Sequence, residues 1–127
     1  MKTDSLFYRI FLQFPASFFE LVGLPTQEAT YYQFTSREVK QLAFRLDGLF
    51  YPQVTEANKP FFLVEVQFQP DPELYYRIFA ELFFFLRQYQ PPFPWRVVVI
   101  YPSHNIERSL NLAYLYLSEK VDFLNLD

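Results

Sequence analysis

The sequence predicts an α/β domain, a mixed β-sheet flanked by α-helices. Three observations carry this. A helix-periodic run extends through "PDPELYYRIFAELFFFLRQY", Pro70 to Tyr89. Two near-continuous apolar runs of strand length, "FFLVEVQFQ" (Phe61–Gln69) and "WRVVVIYPS" (Trp95–Ser103), lie on either side of it. Along the whole chain the order reads helix, two or three strands, helix, strand, helix, strand.

The first helix is expected over Ser5–Val22. Leu6, Ile10, Phe14, Phe18 and Leu21 recur at spacings of three and four. Pro15 falls inside this stripe, so two helical pieces are predicted. Asp4 and Ser5 can cap the start, and Gly23 with Pro25 marks the stop. Ala29–Phe34 is a short β-prone run, and Arg37–Pro52 continues in strand style. In that stretch Leu42, Phe44 and Leu46 share one face, and Ala43, Arg45 and Asp47 share the other. The polar segment Pro52–Pro60 leads into the Phe61–Gln69 strand.

For the central helix, Asp71 is a suitable N-cap with Pro72 at the first position. Leu74, Ile78, Leu82 and Phe85 form its core stripe. Tyr75, Phe79, Phe83 and Leu86 widen the stripe, so burial on several sides is expected. "PPFP" ends the helix. Trp95–Ser103 reads as a buried strand of the parallel kind. Asn105–Lys120 is expected to be helical, with Leu110, Ala113, Tyr114 and Leu117 on one side. "VDFLNLD" alternates like a last short strand and stops abruptly, as a domain continuing past Asp127 would.

Composition bounds the function. The chain of 127 residues is 51% hydrophobic and 22% aromatic, with 17 Phe and 10 Tyr. This suits one domain, residues 1–127, with a packed core. With no Cys and a single His104, a metal site must rest on oxygen ligands, which suit Mg²⁺, Mn²⁺ or Ca²⁺. No apolar run reaches the ~18–20 residues of a membrane helix. The N-terminus lacks a secretory pattern, so the expected location is cytoplasmic. A net charge of −3 weighs against an obvious polyanion binder.

One feature of the apolar strands demands an explanation. Glu65 stands inside "FFLVEVQFQ", with Gln67 two residues on. Alternation puts Phe62, Val64, Val66 and Phe68 on one face and Leu63, Glu65 and Gln67 on the other. Glu65 and Gln67 are then about 7 Å apart, two strand rises. The preceding strand carries Asp47 directly before Gly48. If the two strands pair antiparallel, Asp47 lies beside Glu65. Two adjacent carboxylates are stable with a shared proton or a bound divalent cation. The competing structural account pairs them with Arg45 or Lys40.

"RLDGLF", "FLVEVQFQ" and a helix opening "DPELYYRIF" together resemble the D…E-x-K pattern of the PD-(D/E)XK nuclease superfamily. More narrowly they resemble its recombination-promoting nuclease and putative-transposase branch, in which the last motif position is commonly Gln. "EVKQLAFRLDGLFYP", "LYYRIFAELFFFLRQY" and "TDSLFYRIF" add to the resemblance, which covers about Thr3 to Ser103. It implies a restriction-endonuclease-like fold and a Mg²⁺- or Mn²⁺-dependent DNA endonuclease. Asp47, Glu65 and the Val66 carbonyl would hold the metal, which would polarise the phosphate and activate water. Gln67 takes the place of the motif lysine and can orient water only by hydrogen bonds.

Asp4 is a candidate outer-shell acid and Glu20 a poorer one. Arg77, Arg45 and Lys40 are candidate phosphate-binding residues. The implied partner is DNA, and a homodimer pooling Arg37, Lys40, Arg45 and Arg77 would supply cations that the net charge lacks. The alternative function is a catalytically silent nuclease fold serving as a binding or assembly module. Ser103, His104 and Asn105 invite a Ser/His nucleophile, but helix capping accounts for them. The "FFFL" run reads as core or dimer interface rather than a base-stacking platform.

Overall fold

The computed structural model describes residues 3–40, 44–53, 59–103 and 110–126. For Thr3, Asp4, Ser5, Phe44, Arg45 and Asp47 the description is confined to the backbone. Helices α1 (Thr3–Gln13) and α2 (Pro15–Leu21) come first, followed by a 3₁₀ turn, Thr26–Tyr31. Strands β1 (Tyr32–Val39), β2 (Phe44–Pro52) and β3 (Phe61–Val66) precede helix α3 (Leu74–Tyr89). Strand β4 (Trp95–Tyr101), a 3₁₀ helix (Leu112–Lys120) and β5 (Val121–Asn125) complete the fold.

The sheet is open, mixed and five-stranded, in the order β1-β2-β3-β4-β5. The pairs β1/β2 and β2/β3 are antiparallel, and β3/β4 and β4/β5 are parallel. The expected α/β class with a mixed sheet and flanking helices is therefore present.

Each face of the sheet is buried under helices. On one face Phe11, Phe18 and Phe19 of α1 and α2 meet Phe34, Phe50, Phe62, Val64 and Ile100. The rings interlock there: Phe18 stacks on Phe50 with centroids 4.2 Å apart, and Phe11 meets Phe18 edge-on at 5.5 Å. On the other face Leu74, Ile78, Leu82 and Phe85 of α3 cover Leu49, Phe61, Leu63, Val97 and Val99. Two-sided coverage is why β3 and β4 are apolar but for Glu65 and Arg96.

Several boundaries differ from the sequence expectation. Pro15 separates α1 from α2 as predicted, and Gly23 adopts φ 81° just past α2. Asp4 lies inside α1 rather than capping it. The strand-like run over Arg37–Pro52 is the end of β1 and, antiparallel to it, β2; Leu42 and Ala43 lie outside the described residues. Alternation survives in both strands, so it did not separate them. Asp71 precedes α3 by a short turn, its Oδ1 accepting from Glu73 N–H at 2.9 Å, and the helix proper starts at Leu74.

The Asn105–Lys120 helix is, in its described part, the 3₁₀ segment Leu112–Lys120. Leu110, Tyr114 and Leu117 do pack on the α3-side core, but a stripe of threes and fours fits both helix periods. Asn105 and His104 lie outside the described residues. Finally, β3 ends at Val66, so Glu65 is its penultimate residue rather than its middle.

Candidate functional site

The site is built by a disturbance in β2. One residue, Ser36, separates Thr35 from Arg37 in β1, while two, Asp47 and Gly48, separate their partners Leu49 and Leu46 in β2. Asp47–Gly48 is therefore a β-bulge. Such bulges locally re-aim a strand and are frequent beside active sites. On its other side β2 pairs Leu49 with Leu63 and Phe50 with Phe62 of β3. Continued two residues, that register brings Asp47 opposite Glu65.

Gly48 is what allows the two strands to approach here. A Cβ at this position would collide with the Val64 carbonyl and lie 3.1 Å from the Tyr8 ring. Tyr8 of α1 closes the same spot from the helix side, its hydroxyl donating to the Val64 carbonyl at 3.4 Å. The "DG" pair is thus one unit: a glycine for close approach and an acid carried next to β3. The side chain of Asp47 lies outside the described residues.

Glu65 lies on the α3 face of β3, as alternation predicts, but that face is not open. Phe61 and Leu63 on it are fully packed under α3. Glu65 keeps 24% of its side-chain surface because it stands at the strand end, where α3 begins. Arg77, in the first turn of α3, places its guanidinium 3.6 Å from Glu65 Oε1 and donates to Asp71 Oδ2 at 3.0 Å. The sequence offered Arg77 as a phosphate contact. In the folded chain it is the cation of a Glu65–Arg77–Asp71 cluster. Asp71, read as a helix cap alone, is a member that sequence reasoning missed.

Gln67 follows directly. Its backbone N–H donates to the Ile100 carbonyl at 2.9 Å, so β3 keeps one ladder bond past its end. Its side-chain amide Nε2 donates to the Gln69 carbonyl. Val66 is buried and paired with Ile100 of β4. Near this strand end, the buried hydroxyls of Tyr75 and Tyr101 share a hydrogen bond of 2.6 Å. Sequence reasoning missed this pair too. The available signal was a Tyr, not a Phe, at two fully buried positions.

The other candidates sit apart. Lys40 is exposed, with its backbone N–H donating to Gln88 Oε1 at the far end of α3. Arg77 and Gln88 are eleven residues apart, about 16 Å along a helix axis. Glu20 is on the exposed surface of α2. The Asp4 and Arg45 side chains lie outside the described residues. Ser103 is half-buried just after β4.

Residues 3–127 match the family described as "Protein of unknown function (DUF2887)". The chain belongs to the DUF2887 family. No curated protein and no solved structure matches it. What the DUF2887 match covers is the whole described fold, from α1 through β5, and so the β2 bulge, the end of β3 and α3 together. Among its described residues no helix is long and apolar enough to cross a membrane. Also among them, no three His, Asp or Glu side chains form a metal-holding group. In this DUF2887 chain Arg77 stands against two carboxylates, Glu65 and Asp71, among the described residues at the end of β3.

Proposed function

We propose that this chain is a metal-dependent DNA endonuclease with a restriction-endonuclease-like fold, close to the recombination-promoting nuclease and transposase type. One observation carries the reading: the β2/β3 register, continued two residues beyond the Leu49–Leu63 pair, leads from a bulge of β2 that holds Asp47 to Glu65, a partly exposed glutamate at the end of β3. Two acids held together at a sheet end repel unless a proton or a divalent cation joins them.

The donors fit such a cation. They are all oxygens, and Glu65 remains reachable from solvent. Asp47, Glu65 and the Val66 carbonyl would hold Mg²⁺ or Mn²⁺. When bound, the ion supplies charge to the scissile phosphate and acidifies a water. The chain's own groups do the positioning. Gln67, with Nε2 engaged by Gln69, has Oε1 left to accept a hydrogen bond from water and so orient it. Arg77 pairs with Glu65 and Asp71 now and can donate to a phosphate oxygen when DNA takes the place of Glu65. The Asp71 contact keeps its guanidinium at the site.

The test is nicking of supercoiled plasmid with Mg²⁺ or Mn²⁺. Wild type converts it to open circle. Asp47→Ala, Glu65→Ala and chelation each abolish the conversion. A folded wild type without activity, or equal rates in all three proteins, sinks the reading. A second reading is a silent nuclease fold acting as an assembly module. Its support is the Gln67 amide tied to its own loop, where the motif lysine would supply a free charge.

A further inference from the structure

A second concave site lies on the face of the sheet opposite Glu65, at the other end of β3. Helix α2 stops at Leu21 and Gly23 turns the chain at φ 81°, so the helical cover of this face ends there. A cavity of about 350 Å³ follows, with Phe19, Val22, Leu24, Pro60 and Phe62 as its apolar lining. Its polar lining is Glu28 from the 3₁₀ turn, Tyr32 of β1, Arg96 of β4 and Asp122 of β5. Small-molecule sites are commonly ~300–1,000 Å³, apolar, with a few convergent polar groups.

Strand register explains how the polar groups come together. Phe62 pairs with Arg96, and Val98 with Asp122. Phe62, Val98 and Leu124 belong to the α1/α2-side core, and alternation sets Arg96 and Asp122 on that same face. Asp122 accepts from Arg96 Nε at 3.1 Å and from Nη2 at 3.0 Å, which holds the guanidinium in place. Among the described residues Arg96 Nη1 makes no hydrogen bond, so its two N–H groups are left to donate. Glu28 Oε1 accepts from Lys59 Nζ at 2.7 Å, which leaves Oε2 as an acceptor. The Tyr32 hydroxyl donates to the Pro60 carbonyl and can still accept.

These groups define what the cavity can take. The charges cancel in two ion pairs, Arg96 with Asp122 and Lys59 with Glu28. A charged ligand would meet its own sign beside the opposite one, so a neutral ligand fits best. It needs an acceptor for Arg96, a donor for Glu28 and apolar faces for the hydrophobic lining. A nucleobase combines all three. Guanine matches most fully: its O6 and N7 accept from arginine, and its N1–H and N2 amine donate to a carboxylate.

We propose that this cavity binds a guanine base, with Arg96 at the O6/N7 edge and Glu28 at the N1/N2 edge. The proposal uses no residue of the β3-end site and stands or falls independently of the nuclease reading.

The test is calorimetric titration of guanosine into the whole chain without metal, where binding at a single site is expected. Arg96→Met and Glu28→Gln should each weaken it about tenfold or more. Leu24 is a rim residue, 40% exposed, outside both ion pairs. Leu24→Trp should therefore abolish binding in a folded chain, and it decides the case in which an ion-pair variant does not fold. 7-Deazaguanosine, which lacks N7, should bind wild type more weakly than guanosine but Arg96→Met equally well. Inosine, which lacks the N2 amine, should behave in the same way towards Glu28→Gln. A short oligothymidine strand with one central dG reads the source of the base. Tighter binding than guanosine, lost in Leu24→Trp, means that the base is taken from a strand; weaker binding means that the free nucleoside is the ligand. Failure of both guanosine and the dG strand to bind folded wild type, binding untouched by Leu24→Trp, or equal binding of uridine overturns the proposal.

Discussion

At Gly48, Arg77 and Tyr32 a single substitution can isolate a local effect. Gly48→Ala places a methyl against the Val64 carbonyl and the Tyr8 ring. The collision with fixed backbone should cost about 1–3 kcal/mol, read as a lowered urea midpoint. Arg77→Met removes the ion pairs to Glu65 and Asp71, made by an arginine side chain that is 39% exposed. Stability should therefore fall by less than about 1 kcal/mol. Mn²⁺ affinity should rise, since the cation competing for Glu65 is gone. Calorimetry checks that direction, and a fall in affinity would mean Arg77 organises the acids instead. Glu65 could be picked out from sequence because a charge in an apolar strand is conspicuous. Its cluster with Arg77 and Asp71 could not, because it depends on where α3 starts, and "PDPEL" fits two starting points.

At the scale of elements, Tyr32 joins β1 to the lead-in of β3, its hydroxyl donating to the Pro60 carbonyl at 2.6 Å. Burial first, and then the negative Glu28, push its pKa well above the usual tyrosine value. Burial also raises Tyr51, with Arg37 opposing. A raised folded-state pKa means that the native chain holds protons the unfolded chain releases. The contribution is complete below the unfolded value of about 10 and is lost as pH rises beyond it. Urea midpoints from pH 8 to 11 should fall at the alkaline end. Tyr32→Phe should lower stability near neutrality by about 1 kcal/mol and flatten part of that fall. For α3, Leu82→Ala opens a cavity at a fully buried position and should cost about 2–5 kcal/mol in the same assay. The apolar girth of α3 told in advance that it is buried on several sides, and the sheet is what covers its core stripe. The hairpin between β1 and β2 stayed hidden, since period-two alternation does not say where a strand turns back.

Across the whole molecule, the abundance of Phe finds its place in two cores rather than one. Helices α1 and α2 supply an aromatic layer on one face, and α3 covers the other. That double coverage turns the end of β3 into the place where a carboxylate can sit in the sheet and still reach water. The β2 bulge could not be read from residue type, because it comes from a mismatch in length between two strands. Asp47 and Glu65 are proposed to act as one cation site. Its most direct test is calorimetric titration of Mn²⁺ into wild type, Asp47→Asn, Glu65→Gln and the double variant. One site should bind in wild type, each single change should abolish it, and the double change should add nothing further. Undiminished binding in either single variant would contradict the account.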